Sequence, residues 1–197
     1  MTDSKALAAH ELLRAGLLDG RVVAVAGTPG EFGRAAREAC ARLGAEVSDL
    51  HGANESELSA SAHRYGAALD VLICDGAGLY EAASTGGLHA LRACVDQSWD
   101  ATRAVADACF IPESRGGKVM LVAPRPNAGA HAEAARAALE NTARTLSIEW
   151  ARHGITTTTI APGPRTEPVE VATLIAFIAS HAGDYYSGCI FELGGVG

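Results

Sequence analysis

At 197 residues the chain is long enough for one domain with a sizeable buried core. Its formal charge of -7 disfavours nucleic acid and anionic membrane as partners, and no apolar run is long enough to span a bilayer. The opening MTDSKALAAHELLRAGLLDG lacks the basic start and apolar centre of a secretory leader, so a cytoplasmic protein is expected.

Residues 1–18 read as an N-terminal extension with room for a short helix, and 19–197 as the folded domain. Apolar runs and helical periodicity then predict, in chain order, strand 21–26, helix 32–43, strand 46–50, helix 55–65, strand 70–74, helix 86–110, strand 117–122, helix 130–152, strand 155–161, helix 168–180 and strand 188–193. Asn54, Glu55, Ser56 and Glu57 carry the cap signal that opens the second helix. Alternation of strands with helices predicts a doubly wound, Rossmann-like α/β domain with a parallel sheet of six strands. Five scattered cysteines (Cys40, Cys74, Cys94, Cys109 and Cys189) and seven histidines show no metal-ligand spacing, and the cysteines read as reduced core residues.

RVVAVAGTPGEFGRAAREACARLGAEV is a strand, a glycine turn and a helix, the opening of a dinucleotide-binding unit. GGKVMLVAP, AHAEAARAALENTARTLSIEWARHGI and TTTTIAPGP give a strand, a long helix and a second strand with a Pro-Gly exit. From about residue 19 onward the chain resembles the short-chain dehydrogenase/reductase family. In that family the first turn is Thr-Gly-x-x-x-Gly-x-Gly. Gly27 and Gly33 match its outer glycines, Ala26 replaces the Thr, Glu31 replaces the middle Gly, and Gly30 falls one residue early. Asp75, Gly76, Ala77 and Gly78 stand where the family has Asn-Asn-Ala-Gly.

The resemblance implies a Ser, Tyr and Lys that this chain lacks. Alignment on Ala137, Ala138 and Leu139 puts Ala132 at the Tyr position and Arg136 at the Lys position, and the Ser falls on Pro124 or Ala123. The fourth family residue, an Asn, has Cys94 and Asp96 as its nearest counterparts. A methyl group exchanges no proton, and an arginine guanidinium stays protonated and so makes no relay. His131 and Arg136 are the fallback candidates for chemistry, with a solvent-facing or helix-start role the plainer reading of His131.

The resemblance also implies a vestigial cofactor site at Gly27, Gly30, Glu31, Phe32, Gly33, Asp49, Asp75, Gly76, Ala77, Gly78, Pro162 and Gly163. NAD(P) is expected to bind weakly or not at all. A carboxylate at position 31 opposes each unit of phosphate charge by roughly 3 kcal/mol at about 5 Å and an effective dielectric of about 20. Glu31 also stands where a helix N-terminus would attract a phosphate. Family members run to about 250 residues, still one α/β domain. Two segments account for the shortfall. A helix and a strand are missing before DVLICDGAG, the strand being the family's edge strand 3, and the substrate-covering segment after Pro-Gly is missing before PVEVATLIAFIAS. Either Asp49 or His51 is left to read a ribose.

Ala134, Ala138, Leu139, Ala143, Leu146 and Trp150 form an apolar stripe that resembles a family subunit interface. The function expected is a non-catalytic structural or regulatory subunit, self-associating or paired with an active relative. Its contacts run through helices 86–110 and 130–152 and the C-terminal strand. The alternative is an NAD(P)-dependent oxidoreductase with an unorthodox site acting on a small carbonyl or alcohol. A stripe that simply packs on its own sheet is the competing account of the helix.

Overall fold

Neighbouring residues of a strand face opposite sides of its sheet, and here that alternation divides the core in two. The computed structural model describes residues 9–27, 30–83 and 86–194. Its strands are β1 (Val22–Ala26), β2 (Glu46–Leu50), β3 (Val71–Cys74), β4 (Gly117–Val122), β5 (Ile155–Pro162) and β6 (Cys189–Leu193). Val23, Val25, Val71, Ile73, Met120 and Val122 enter one buried cluster, while Ala24, Ala26, Leu72, Cys74, Val119 and Leu121 enter the other. Strands buried on both faces suit a parallel sheet, and every pairing is parallel. The order is β2-β1-β3-β4-β5-β6, a six-stranded Rossmann-like sheet.

The helices are α1 (Ala9–Leu12), α2 (Glu31–Arg42), α3 (Glu55–His63), α4 (Gly76–Ala82), α5 (Gly87–Val105), α6 (Ala132–Glu149) and α7 (Pro168–Ala179). α2 and α7 pack together over the first cluster, and α3, α5 and α6 cover the second. Asn54 caps α3 by accepting from the Glu57 amide at 3.1 Å. Residues 1–8 of the expected extension lie outside the described residues. Leu18, just before the expected domain start, is fully buried and its amide donates to the Leu43 carbonyl at 2.9 Å.

Three features depart from the sequence reading. α4 was not expected. The helix expected over 86–110 is α-helical only to Val105 and closes in a wider π-helical turn over Ala106–Phe110, and the one expected over 130–152 ends at Glu149, with a 3-10 turn following. The stripe on α6 lies mostly against the chain's own sheet. Leu139, Ala143 and Leu146 are buried, and the Thr159 and Thr157 hydroxyls of β5 donate to the Leu139 and Ala143 carbonyls at 3.2 and 2.6 Å. Ala134 is exposed and Ala138 and Trp150 are half-buried.

Among the described residues no strand lies beyond β2, which is an edge of the sheet. Tyr65, just past α3, reaches over this edge. Its hydroxyl donates to the Asp49 carbonyl at 3.1 Å and sits 2.8 Å from Ser48 Oγ, so Ser48 is the donor in that second bond. A covered carbonyl and charged side chains make a poor template for another strand.

Candidate functional site

Asp75 immediately follows β3, and its amide donates to the Ala26 carbonyl at 2.9 Å, which pins it beside the end of β1. Its side chain is fully buried. Oδ1 accepts from the Gly78 amide at 3.0 Å and caps α4. Oδ2 accepts from Gly30 at 2.7 Å and Gly33 at 3.1 Å, so the same carboxylate also caps α2. Burial pushes this carboxyl above its usual range, against the pull of the three amides and Arg34. The glycines serve this close approach. A Cβ on Gly33 would lie 2.4 Å from Asp75 Oδ2, and one on Gly30 would lie 2.8 Å from Gly78 Cα.

Glu31 is the first residue of α2. Its carboxylate turns to Arg125, on the loop after β4, and forms an ion pair there. The Arg125 guanidinium lies 4.6 Å above the Phe32 ring and donates to the Thr166 carbonyl at 2.6 Å and the Gly163 carbonyl at 3.4 Å. One side chain therefore ties the first turn of α2 to the ends of β4 and β5. Glu81, an exposed residue with part of its side chain desolvated, adds a further carboxylate, pushed above its usual range by that desolvation and by Glu31 and Asp75.

The positions aligned with the family's Ser and Tyr carry no acid or base. Pro124 is buried and Ala132, first in α6, is 1% exposed. Arg136 is held by backbone, its Nη1 donating to the Pro124 and Pro162 carbonyls at 2.8 Å each. It clamps β4 to β5, and its Nε lies 3.5 Å from Glu133 Oε2. His131 is exposed at the helix start in the left-handed region, φ 69°, without a side-chain bond to the helix amides. Asp96 lies on the exposed face of α5, 3.9 Å from Arg92. Burial pushes the Cys74 and Cys94 thiols up to about 12, which leaves them protonated and poor nucleophiles.

Tyr80 was missed. It is buried, shares the cluster that contains Ala132, and its hydroxyl donates to the Ala130 carbonyl at the entrance to α6. Burial raises its pKa. The sequence signal was Asp75 before a Gly-Ala-Gly run, an N-cap residue announcing a helix that would carry Tyr80 inward.

Asp49 pairs with Arg37 at 2.5 Å, whereas His51 lines a cavity of about 370 Å³ with Gly27, Gly52, Gln97 and Ala101. Of the two residues left open for a ribose, His51 faces the cavity. Beyond Pro162 the chain enters α7 within residues 163–167. Thr166 Oγ1 accepts from the Gly163 amide at 2.8 Å and donates to the Leu193 carbonyl at 3.1 Å, so this short link is tied down. Among the described residues no group of three or more His, Cys, Asp or Glu could hold a metal ion, and no helix is long and apolar enough to cross a membrane.

No family model and no curated protein matches the sequence. Solved structures do match in fold. A citronellol catabolism dehydrogenase (AtuB) of Pseudomonas aeruginosa PAO1 superposes with a TM-score of 0.75 at 22% identity, over 92% of this chain and 96% of that one. A short chain dehydrogenase from Mycobacterium smegmatis gives 0.71 at 22% identity, over 92% and 95%. A hydroxysteroid dehydrogenase from Escherichia coli gives 0.69 at 19% identity, over 92% and 99%. The chain has the short-chain dehydrogenase/reductase fold.

Proposed function

We propose that this chain is a truncated, catalytically degenerate short-chain dehydrogenase/reductase that acts as a structural or regulatory subunit, in a homo-oligomer or beside an active relative. The observation that carries the reading is the Asp75 carboxylate on the Gly30 and Gly33 amides, beneath the Glu31–Arg125 pair. In this fold a dinucleotide is held at the end of β1, by amides at a helix N-terminus. Here the chain's own carboxylate takes those donors. A pyrophosphate would have to displace it or sit against it, and the residues do not fit a dinucleotide. With Ala132 and Pro124 at the acid/base and substrate-orienting positions, no proton transfer is provided for. Cytoplasmic location and a domain spanning 19–197 belong to the same proposal.

The subunit role draws on what the single chain leaves uncovered. Leu88 and Trp99 of α5 and Ile148 of α6 are 61, 39 and 79% exposed. These side chains, rather than the buried Ala143 and Leu146, form the contact face we assign to α5 and α6, with β6 as a second edge. Sedimentation tests this. The wild type is expected as a dimer or tetramer, alone or with a relative, and Ile148→Glu is expected to dissociate it without unfolding. A stable micromolar monomer that joins no relative contradicts the reading.

A second reading, an oxidoreductase acting on a small carbonyl or alcohol, draws on Tyr80 rather than on His131 or Arg136. Its hydroxyl is a proton-bearing group held at the start of α6 by its bond to the Ala130 carbonyl. Reproducible nicotinamide-dependent turnover lost in Tyr80→Phe would establish it in place of the first.

A further inference from the structure

The opposite rim of the sheet, where the strands begin, holds a cavity of about 340 Å³. Arg21 precedes β1, Asp70 precedes β3 and Arg115 lies before β4, and these three meet at its wall with Lys118, His181 and Asp184. Strands rise about 3.3 Å per residue, so this rim lies roughly 15–20 Å from the Asp75 cleft.

Lys118 is fully engaged. Its ammonium donates to the Ile178 and Ser180 carbonyls at 2.7 and 2.5 Å and to Asp184 Oδ1 at 2.7 Å, which closes the end of α7. Arg21 and Arg115 are not served so well. Both reach the same oxygen of Asp70, at 3.5 and 3.1 Å, while the other oxygen accepts from the Val22 amide at 2.8 Å. The second contact of Arg115 is the Leu69 carbonyl. The second contact of Arg21 is the His181 ring. His181 Nδ1 lies 3.2 Å from Asp184 Oδ2, and Arg21 Nη2 lies 3.0 Å from Nδ1 and 3.3 Å from Nε2 of the same ring. An imidazole carries no negative charge in either form, so the ring supplies no counter-charge to Arg21.

Three formal cations thus face two carboxylates around the cavity. Two guanidiniums drawn to one oxygen repel each other, and an anion between them relieves the repulsion. Gly116 and Gly117 form part of the wall and present backbone without side chains, and the bond from the Gly117 amide to the Gly154 carbonyl is long at 3.4 Å. We propose that this cavity binds a phosphate group, held between Arg21 and Arg115 with the Gly117 amide as a further donor. A tetrahedral oxyanion has enough acceptors for two separate forks and an amide. The proposal is independent of the reading of the carboxyl-edge cleft.

The test is an amide-shift titration of labelled full-length protein with sodium phosphate and, separately, with glycerol phosphate, against sodium chloride at equal ionic strength. Saturable shifts at Gly116, Gly117 and Gly154 are expected. Arg21→Gln and Arg115→Gln are expected to weaken binding by about tenfold or more. Arg92→Gln, which removes an exposed charge elsewhere, leaves it unchanged. Tighter binding of glycerol phosphate identifies the ligand as a monoester, and binding of inorganic phosphate alone identifies it as the free ion. If Arg115→Gln fails to fold, the map of shifts and Arg21→Gln decide. No saturable shift, shifts centred on Gly30 and Gly33, or unchanged affinity in Arg21→Gln would overturn the proposal.

Discussion

Arg125 and Arg136 at the carboxyl edge of the sheet and Arg21 and Arg115 at the amino edge meet very different fates. Arg125 holds a carboxylate, two carbonyls and an aromatic face, and Arg136 holds two carbonyls. Arg21 and Arg115 divide one oxygen of Asp70. The edge at which this fold ordinarily takes its ligands is the edge at which the chain's charges already answer one another. Folding of the strand-helix frame sets where the rims lie, and a handful of side chains decide which rim keeps charge in reserve.

The largest way to break this contrast is through Asp75. Asp75→Ala would leave the buried amides of Gly30, Gly33 and Gly78 without an acceptor and is expected to destabilise the protein by roughly 3 kcal/mol or more in urea unfolding. A loss below about 1 kcal/mol would mean that the carboxylate does not organise the turn. Gly33→Ala, which thrusts a methyl group at the same carboxylate, is expected to cost about 1–3 kcal/mol. Leu146→Glu places a charge in the buried side of α6 and is expected to unfold the chain, whereas Ile148→Glu on its exposed side keeps the fold. Circular dichroism separates the two, and equal behaviour would show that α6 is packed otherwise. Arg125→Gln removes the part-buried pair with Glu31 and the bonds to the Thr166 and Gly163 carbonyls, and is expected to cost about 1–2 kcal/mol in urea, with the fold intact.

The smallest effect concerns pH at the amino rim. Partial burial raises the Asp184 carboxyl, and the bonds from Lys118 and His181 outweigh it, so the group is held below its usual range. Its contribution to stability is present above the unfolded pKa and is lost as pH falls through the lower folded value. Lys118 is shifted down by burial, against Asp184, so stability rises as pH climbs from its folded pKa to its ordinary one. Asp75, shifted up by burial, acts in the opposite direction to Asp184, and its ionisation lowers stability as pH rises above the ordinary carboxylate range. Asp184→Asn is expected to flatten the acid limb of the stability profile below about pH 4. An unchanged limb would place the acid sensitivity elsewhere.

Apolar runs such as VVAVA and VMLV, with the glycine turn and the cap at Asn54, made the strands and most helices readable, because burial on both faces leaves a near-continuous hydrophobic signal. α4 was not readable by the same means. GAGLYEA begins directly after a strand, holds two glycines, and gains its first turn from the buried Asp75 cap. The turn glycines and Glu31 stand out in the sequence as a group, but the partner of Glu31 is 94 positions away on a loop without periodicity. Nothing local to Arg125 announces that contact. The stripe on α6 was visible as a pattern, yet a pattern cannot tell a sheet from a second subunit, and the buried Leu146 beside the exposed Ile148 shows where the division falls.

The central claim is that the chain's own charges fill the cleft at the end of β1. Calorimetric titration of the purified protein with NAD, NADH, NADP and NADPH tests it most directly. Dissociation constants above about 1 mM, binding weaker than about 4 kcal/mol, are expected for all four. Glu31→Gly alone is not expected to restore binding, because Asp75 still holds the Gly30 and Gly33 amides. A micromolar complex with any of the four in the wild type would contradict the claim.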